Sequence, residues 1–117
     1  MWKNKLVEIS RPASETITEA EDSPSLVTDG IACASYRNVA VTFTGLTATD
    51  IDIQVWVNDT TGWAQATDAA GAVIDIDDIT TTWGQTFEVA GFDRFAVVVD
   101  GGTGFGEVVR QYSLSRF

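Results

Sequence analysis

DIDIQVWVNDTTGW, residues 50–63, decides the fold. Ile51, Ile53, Val55 and Val57 alternate with Asp50, Asp52, Gln54 and Trp56. A period of two is that of a strand buried on one side, because successive side chains leave the pleat in opposite directions. Trp56 breaks the rule of that pattern, since a large ring stands on the acidic, solvent-facing side. Large apolar groups on a wet face mark surfaces that bind something. The stretch Asn58-Asp59-Thr60-Thr61-Gly62 reads as a hairpin turn. Closed around it, Val57 faces Trp63 on the core side, and Trp56 stands opposite with Ala64 and Ala66 across the turn. Those small neighbours leave the Trp56 ring uncovered within the sheet, unless the N-terminal segment or a second sheet lies over it.

The same alternation recurs along the chain. Strands are expected at Lys5–Ile9, Thr16–Ala20, Arg37–Thr44, Asp50–Asn58, Trp63–Thr67, Ala72–Ile76, Gln85–Val89, Phe92–Asp100 and Glu107–Ser115. Thr, Val, Ile and aromatics fill them, and Gly, Asn and Asp punctuate them. Short strands at this spacing imply an all-β, antiparallel β-sandwich of jelly-roll or Ig-like type. The run Ala96-Val97-Val98-Val99 predicts a central strand covered on both faces. Residues 101–106, GGTGFG, lead into another strand pattern rather than a helix. They read as a hairpin turn and not as a phosphate loop.

Residues 1–30 differ. Pro12 and Pro24 interrupt them, and each removes a backbone donor. Residues 1–11 carry net charge +2, whereas residues 12–30 hold five acids and no base. The chain therefore divides into an N-terminal arm or edge-strand segment, 1–30, and a sandwich domain, 31–117. An extended arm of that length spans up to roughly 100 Å, enough to cross neighbouring subunits. It is expected to pack on a partner rather than to complete its own core. Trp2 is its apolar anchor, and Lys3, Lys5 and Arg11 suit an acidic partner surface.

Composition excludes much. The 117 residues suffice for one domain and one core, at 44% hydrophobic with six Phe and four Trp. The net charge is −10, and residues 38–93 contain nine acids and no base. Nucleic acid is not an expected partner, because binding it rests on neutralising phosphates with Lys and Arg. An anionic membrane is not one either, and the sequence shows neither a signal peptide nor a transmembrane run. There is no histidine, which removes His-based triads, His metal ligands and the commonest general base. Cys33, flanked by Ala32 and Ala34, reads as a buried structural thiol. Asp50/Asp52 and Asp75/Asp77, with Asp78, pair carboxylates on strand faces, but no Ca²⁺-loop spacing accompanies them. No catalytic residue, cofactor or metal is expected.

Three pieces carry a resemblance: Tyr36-Arg37-Asn38-Val39-Ala40-Val41, Asn58-Asp59-Thr60-Thr61-Gly62-Trp63, and Phe92-Asp93-Arg94-Phe95-Ala96-Val97. In this order they resemble a loosely defined group of small tailed-phage virion β-sandwich proteins. The resemblance covers about 80 residues, with Thr60 where a glycine is usual. It implies a non-enzymatic virion protein, either a capsid decoration or cement subunit or a tail or baseplate part. The partners it implies are further copies of the chain, as a trimer, and the major capsid or another virion protein. Trp56 and Trp83 are then the expected interface residues, beside Trp2, Lys3, Lys5 and Arg11. The reading of another class is a carbohydrate-binding module that uses Trp56, Trp83 and nearby carboxylates.

Overall fold

The structure, a computed structural model, describes residues 12–25, 29–47, 49–59 and 61–116. Nine strands are described: β1 Pro12–Ile17, β2 Ile31–Ala32, β3 Asn38–Thr44, β4 Ile51–Asp59, β5 Gly62–Gln65, β6 Asp75–Ile79, β7 Trp83–Glu88, β8 Arg94–Gly102 and β9 Val108–Ser115. They form two antiparallel sheets. One has the order β1-β9-β3-β7; the other has β2-β8-β4-β5, with β6 also on β4. Strands β5 and β6 share one edge of β4: β5 pairs along Trp56–Asp59 and β6 along Ile51–Gln54. Between them the chain leaves the sheet as a small hairpin bridged at Thr67 and Val73.

The alternation that predicts the strands also builds the core. Ile51, Ile53 and Val55 of β4 are fully buried, as are Val39, Val41 and Phe43 of β3 and Val97 and Val99 of β8. These inward faces meet in one cluster with Val108 and Tyr112 of β9 and Phe87 of β7. Strand β8 lies between β2 and β4, and its outward Ala96 and Val98 are also buried. A strand covered on both faces reads as a continuous apolar run, which accounts for Ala96–Val99.

Among the described strands, sequence neighbours share a sheet only from β4 to β6; every other connection passes from one sheet to the other. The GGTGFG stretch is one of these crossings. It is not a hairpin between paired strands, because β8 and β9 belong to different sheets. Two glycines make such crossings fit. At Gly45 φ is +79°, and a Cβ there would stand 2.0 Å from the Glu107 carbonyl oxygen. At Gly30 φ is +67°, and a Cβ would stand 2.4 Å from the Phe95 carbonyl oxygen. A side chain at either position meets backbone that has no freedom to move away, in a conformation glycine alone adopts at little cost.

The N-terminal segment is corrected in part. Residues 12–17 form a strand, hydrogen-bonded to β9 from Pro12 opposite Ser113 to Ile17 opposite Val108. Ile17 enters the core at 2% exposure, and Pro24 is buried. Pro12 opens β1, an edge strand, which is where a sheet tolerates proline. From Ile17 the chain crosses to the other sheet along the open edge of β8. The Glu21 N–H donates to the Val99 carbonyl (2.7 Å), and the Val99 N–H donates to Glu21 Oε1 (3.0 Å). Residues 12–25 thus complete their own domain, and a boundary at residue 30 does not separate them from it. The expected strand Lys5–Ile9, with Trp2, Lys3, Lys5 and Arg11, lies outside the described residues.

Candidate functional site

The outer face of the sheet containing β4 carries Trp56. Its cross-strand neighbours are Ala96 on β8 and Gln65 on β5. The ring is half-buried, and its Nε1–H donates to Gln54 Oε1 at 3.2 Å. Ala96 supplies a small, buried floor beside it.

Trp63 is not opposite Val57 and does not belong to the core. The observed register places Ala64 opposite Val57 and Trp63 opposite Asn58. The hairpin closes at Asp59 and Gly62, with two residues between them. The longer loop read from the sequence shifts the register by one, and a slip of one carries every side chain to the other face. Asp59 fastens this tighter turn. Its Oδ1 accepts the Thr61 N–H (2.7 Å) and the Thr61 hydroxyl (2.6 Å). Those bonds, the hydroxyl first, hold its carboxyl below the ordinary pKa. Trp56 and Trp63 are consequently diagonal neighbours on one outer face, both half-buried.

Trp83 lies elsewhere. It sits on β7 of the other sheet, opposite Phe43, with ring centroids 5.9 Å apart, and it packs against the core. A platform of Trp56 and Trp83 does not exist. Trp63 is the partner that the sequence reading missed, and hairpin parity is the signal that finds it.

The acidic residues gather where β6 meets β4. Asp52 Oδ1 accepts the Asp78 N–H at 2.9 Å, and Asp78 adopts φ +57°. The charge of Asp75, then burial and the charges of Asp52 and Asp78, raise the Asp77 pKa. No group of three or more Asp, Glu, Cys or His among the described residues is placed to hold a metal ion. Because the folded-state pKa of Asp77 is raised, its ionised form costs stability, and protonation relieves that cost. Asp77→Asn is therefore expected to raise the melting temperature slightly at pH 7. The gain should vanish as pH falls through the carboxylate range, in thermal scans at pH 7 and pH 3. An equal gain at both values would assign it to something other than charge.

Concavities open on two sides of the sandwich. A cleft of about 520 Å³ opens at the edge of β8, and Arg110, Glu15 and Glu21 help to line it. A groove of about 610 Å³ lies between β5 and β7, on the opposite side. Val57, Ile74, Phe87, Phe92 and Phe95 give that groove an apolar lining, with Glu88 among its lining residues. Cys33 is fully buried, and burial, followed by the charge of Asp93, pushes its thiol up to about 11. A thiol so placed is no nucleophile at neutral pH. Among the described residues no helix is long and apolar enough to cross a membrane.

Comparison with known proteins bears on the fold. No protein-family model matches the chain, and no curated protein matches it in sequence. The chain is similar in structure to the SPBc2 prophage-derived protein YomS. The crystal structure of YomS superposes with a TM-score of 0.56, at 22% identity, over 92% of this chain and 96% of that one. Both molecules therefore share one architecture along nearly their whole lengths.

Proposed function

We propose that the chain is a non-enzymatic structural protein of a tailed-phage particle, a capsid decoration or cement subunit that acts as a homo-oligomer. The observation that carries this reading is the near-full-length structural likeness to a prophage-derived protein. Three further features support it. The strand order β1-β9-β3-β7 over β2-β8-β4-β5 reads as a jelly roll in which β5 and β6 stand for one strand, a design that viral capsid domains use. The absence of histidine removes the commonest general base. The Trp56/Trp63 face offers a contact surface of the kind that anchors protein interfaces.

Lectin domains use the same strand order, and two tryptophans on one face also suit a sugar, so a carbohydrate-binding module is the rival. Tailed particles purified from a culture whose phage or prophage carries the gene separate the two. Mass spectrometry is expected to find the chain in the particles in fixed copy number, and immunogold to place it on the head. Label on the tail instead would reassign it to the tail or baseplate. Absence from particles, with retention on a glycan array, would overturn the structural role. Trp56→Ala is expected to keep β-type circular dichroism while weakening binding to particles that lack the protein. The loss should be about 30-fold, the effect of an interface anchor worth about 2 kcal/mol.

A further inference from the structure

The groove between β5 and β7 is an opening in the side of the sandwich where the two edge strands part. Phe87 and Phe95 are nearly fully buried at its base, and Phe92 and Ile74 are partly buried. Its lining includes Glu88 and no Lys or Arg. Strand β7 is the last strand of its sheet, so an extended segment laid along it can add main-chain hydrogen bonds.

The first eleven residues, MWKNKLVEISR, match that groove in chemistry. Trp2, Leu6, Val7 and Ile9 are apolar. Lys3, Lys5 and Arg11 against Glu8 leave net charge +2, opposite in sign to Glu88. Lys5–Ile9 alternates, which puts Val7 and Ile9 on one side of an extended chain. Extended, eleven residues reach roughly 36 Å.

The register bears on whose groove they meet. Pro12 stands opposite Ser113, Ser113 opposite Ala40, and Ala40 opposite Thr86. The start of β1 is thus three strand spacings, about 14 Å, from β7. A segment that continued β1 in line would run along the strands, not across them. Reaching its own groove would require a turn across the end of the sheet, whereas a neighbouring copy placed in line requires none.

We propose that residues 1–11 of one copy lie in the β5–β7 groove of a neighbouring copy, with the apolar side chains on Phe87, Phe92 and Phe95 and the cations beside Glu88. The proposal rests on reading the chain as an assembling subunit, and it names the contact that does the assembling.

Cysteine trapping in the full-length chain tests it. One preparation carries Ile9→Cys, a second carries Ala64→Cys on β5, and a third carries Glu107→Cys as a distant control; buried Cys33 is kept in all. Oxidation of the first two, mixed, is expected to give the mixed dimer several-fold above the yield with the control. A yield equal to the control overturns the proposal. So does a crosslink that forms only within single chains carrying both Ile9→Cys and Ala64→Cys, because the segment would then occupy its own groove. The particle experiment fails separately: incorporation without mixed dimers sinks the groove contact alone, and mixed dimers without incorporation sink the virion role alone.

Discussion

Replacing Arg110 with methionine is expected to destabilise the protein by about 3 kcal/mol and to lower its melting temperature by roughly 10 °C. Arg110 points inward from β9 between Val108 and Tyr112, and it is 6% exposed. Nη1 donates to Glu21 Oε1 at 2.5 Å and to the Val97 carbonyl at 2.9 Å; Nη2 donates to Glu15 Oε2 at 2.8 Å. The guanidinium also lies 5.4 Å from the centre of the Tyr112 ring. Burial opposes its charge, but Tyr112, Glu21 and Glu15 outweigh burial and raise its pKa. These bonds tie three things together: the edge strand β1, the crossover through Glu21, and the β8 backbone that no strand covers. Methionine replaces the apolar stem of the side chain but not its guanidinium, so the loss falls chiefly on the polar contacts. It takes the shorter of two donors from the buried Val97 carbonyl, which keeps only the Tyr112 hydroxyl at 3.4 Å, and it leaves Glu21 with the Val99 N–H alone. The Glu15 carboxylate is 67% exposed, so Glu15→Gln is expected to cost under about 1 kcal/mol. Urea unfolding of the three proteins decides the matter. Arg110→Met within about 1 kcal/mol of the wild type would show that the corner holds nothing.

That corner also marks where sequence reading stopped. The strands from residue 37 onward were legible because most of their inward positions are Val, Ile, Leu or Phe at period two. Boundaries moved by one to three residues where a strand end carries polar side chains, as in Asp75–Ile79 against the expected Ala72–Ile76. The edge strand β1 was displaced because its inward residues are Ala13, Glu15 and Ile17. Two of the three, Ala13 and Glu15, are exposed, and Glu15 meets Arg110 at the cleft. A charged pair that closes an edge breaks the alternation that would announce the strand. Trp56 was legible as an outward ring. Trp63 was not, because its face depends on one residue of loop length, and Thr60-Thr61 does not declare its turn type as Asn-Gly would. The sheet-to-sheet crossing at GGTGFG reads as a hairpin in sequence for a related reason: glycine reports a backbone that must bend, not which sheet it bends toward.

Phe95→Ala is expected to have the largest effect of any single substitution considered, a loss of about 4 kcal/mol. Phe95 is 1% exposed. Its ring meets Phe87 at 5.4 Å in a tilted pair and Tyr112 at 6.1 Å edge-on, linking strands of both sheets. Such pairs add about 0.5–1.5 kcal/mol beyond the area they bury. In the sheet, Phe95 stands opposite Val57 on β4 and Ile31 on β2. Truncation therefore removes the hydrophobic transfer of the ring, two aromatic contacts and the support beneath β2, and it leaves a cavity. The cavity would adjoin the β5–β7 groove, which Phe95 already lines. Side chains from the groove can sink into it, so the cost should fall short of the value for a sealed site of the same size. At the low end of a total stability of about 5–15 kcal/mol, such a loss brings the variant near unfolding. Phe95→Leu fills most of the volume and is expected to cost about 1.5 kcal/mol. Calorimetry on both variants, with Trp56→Ala beside them, gives the comparison. If Trp56→Ala costs as much as Phe95→Ala, the outer tryptophan is a structural prop, and its proposed part in particle binding loses its ground.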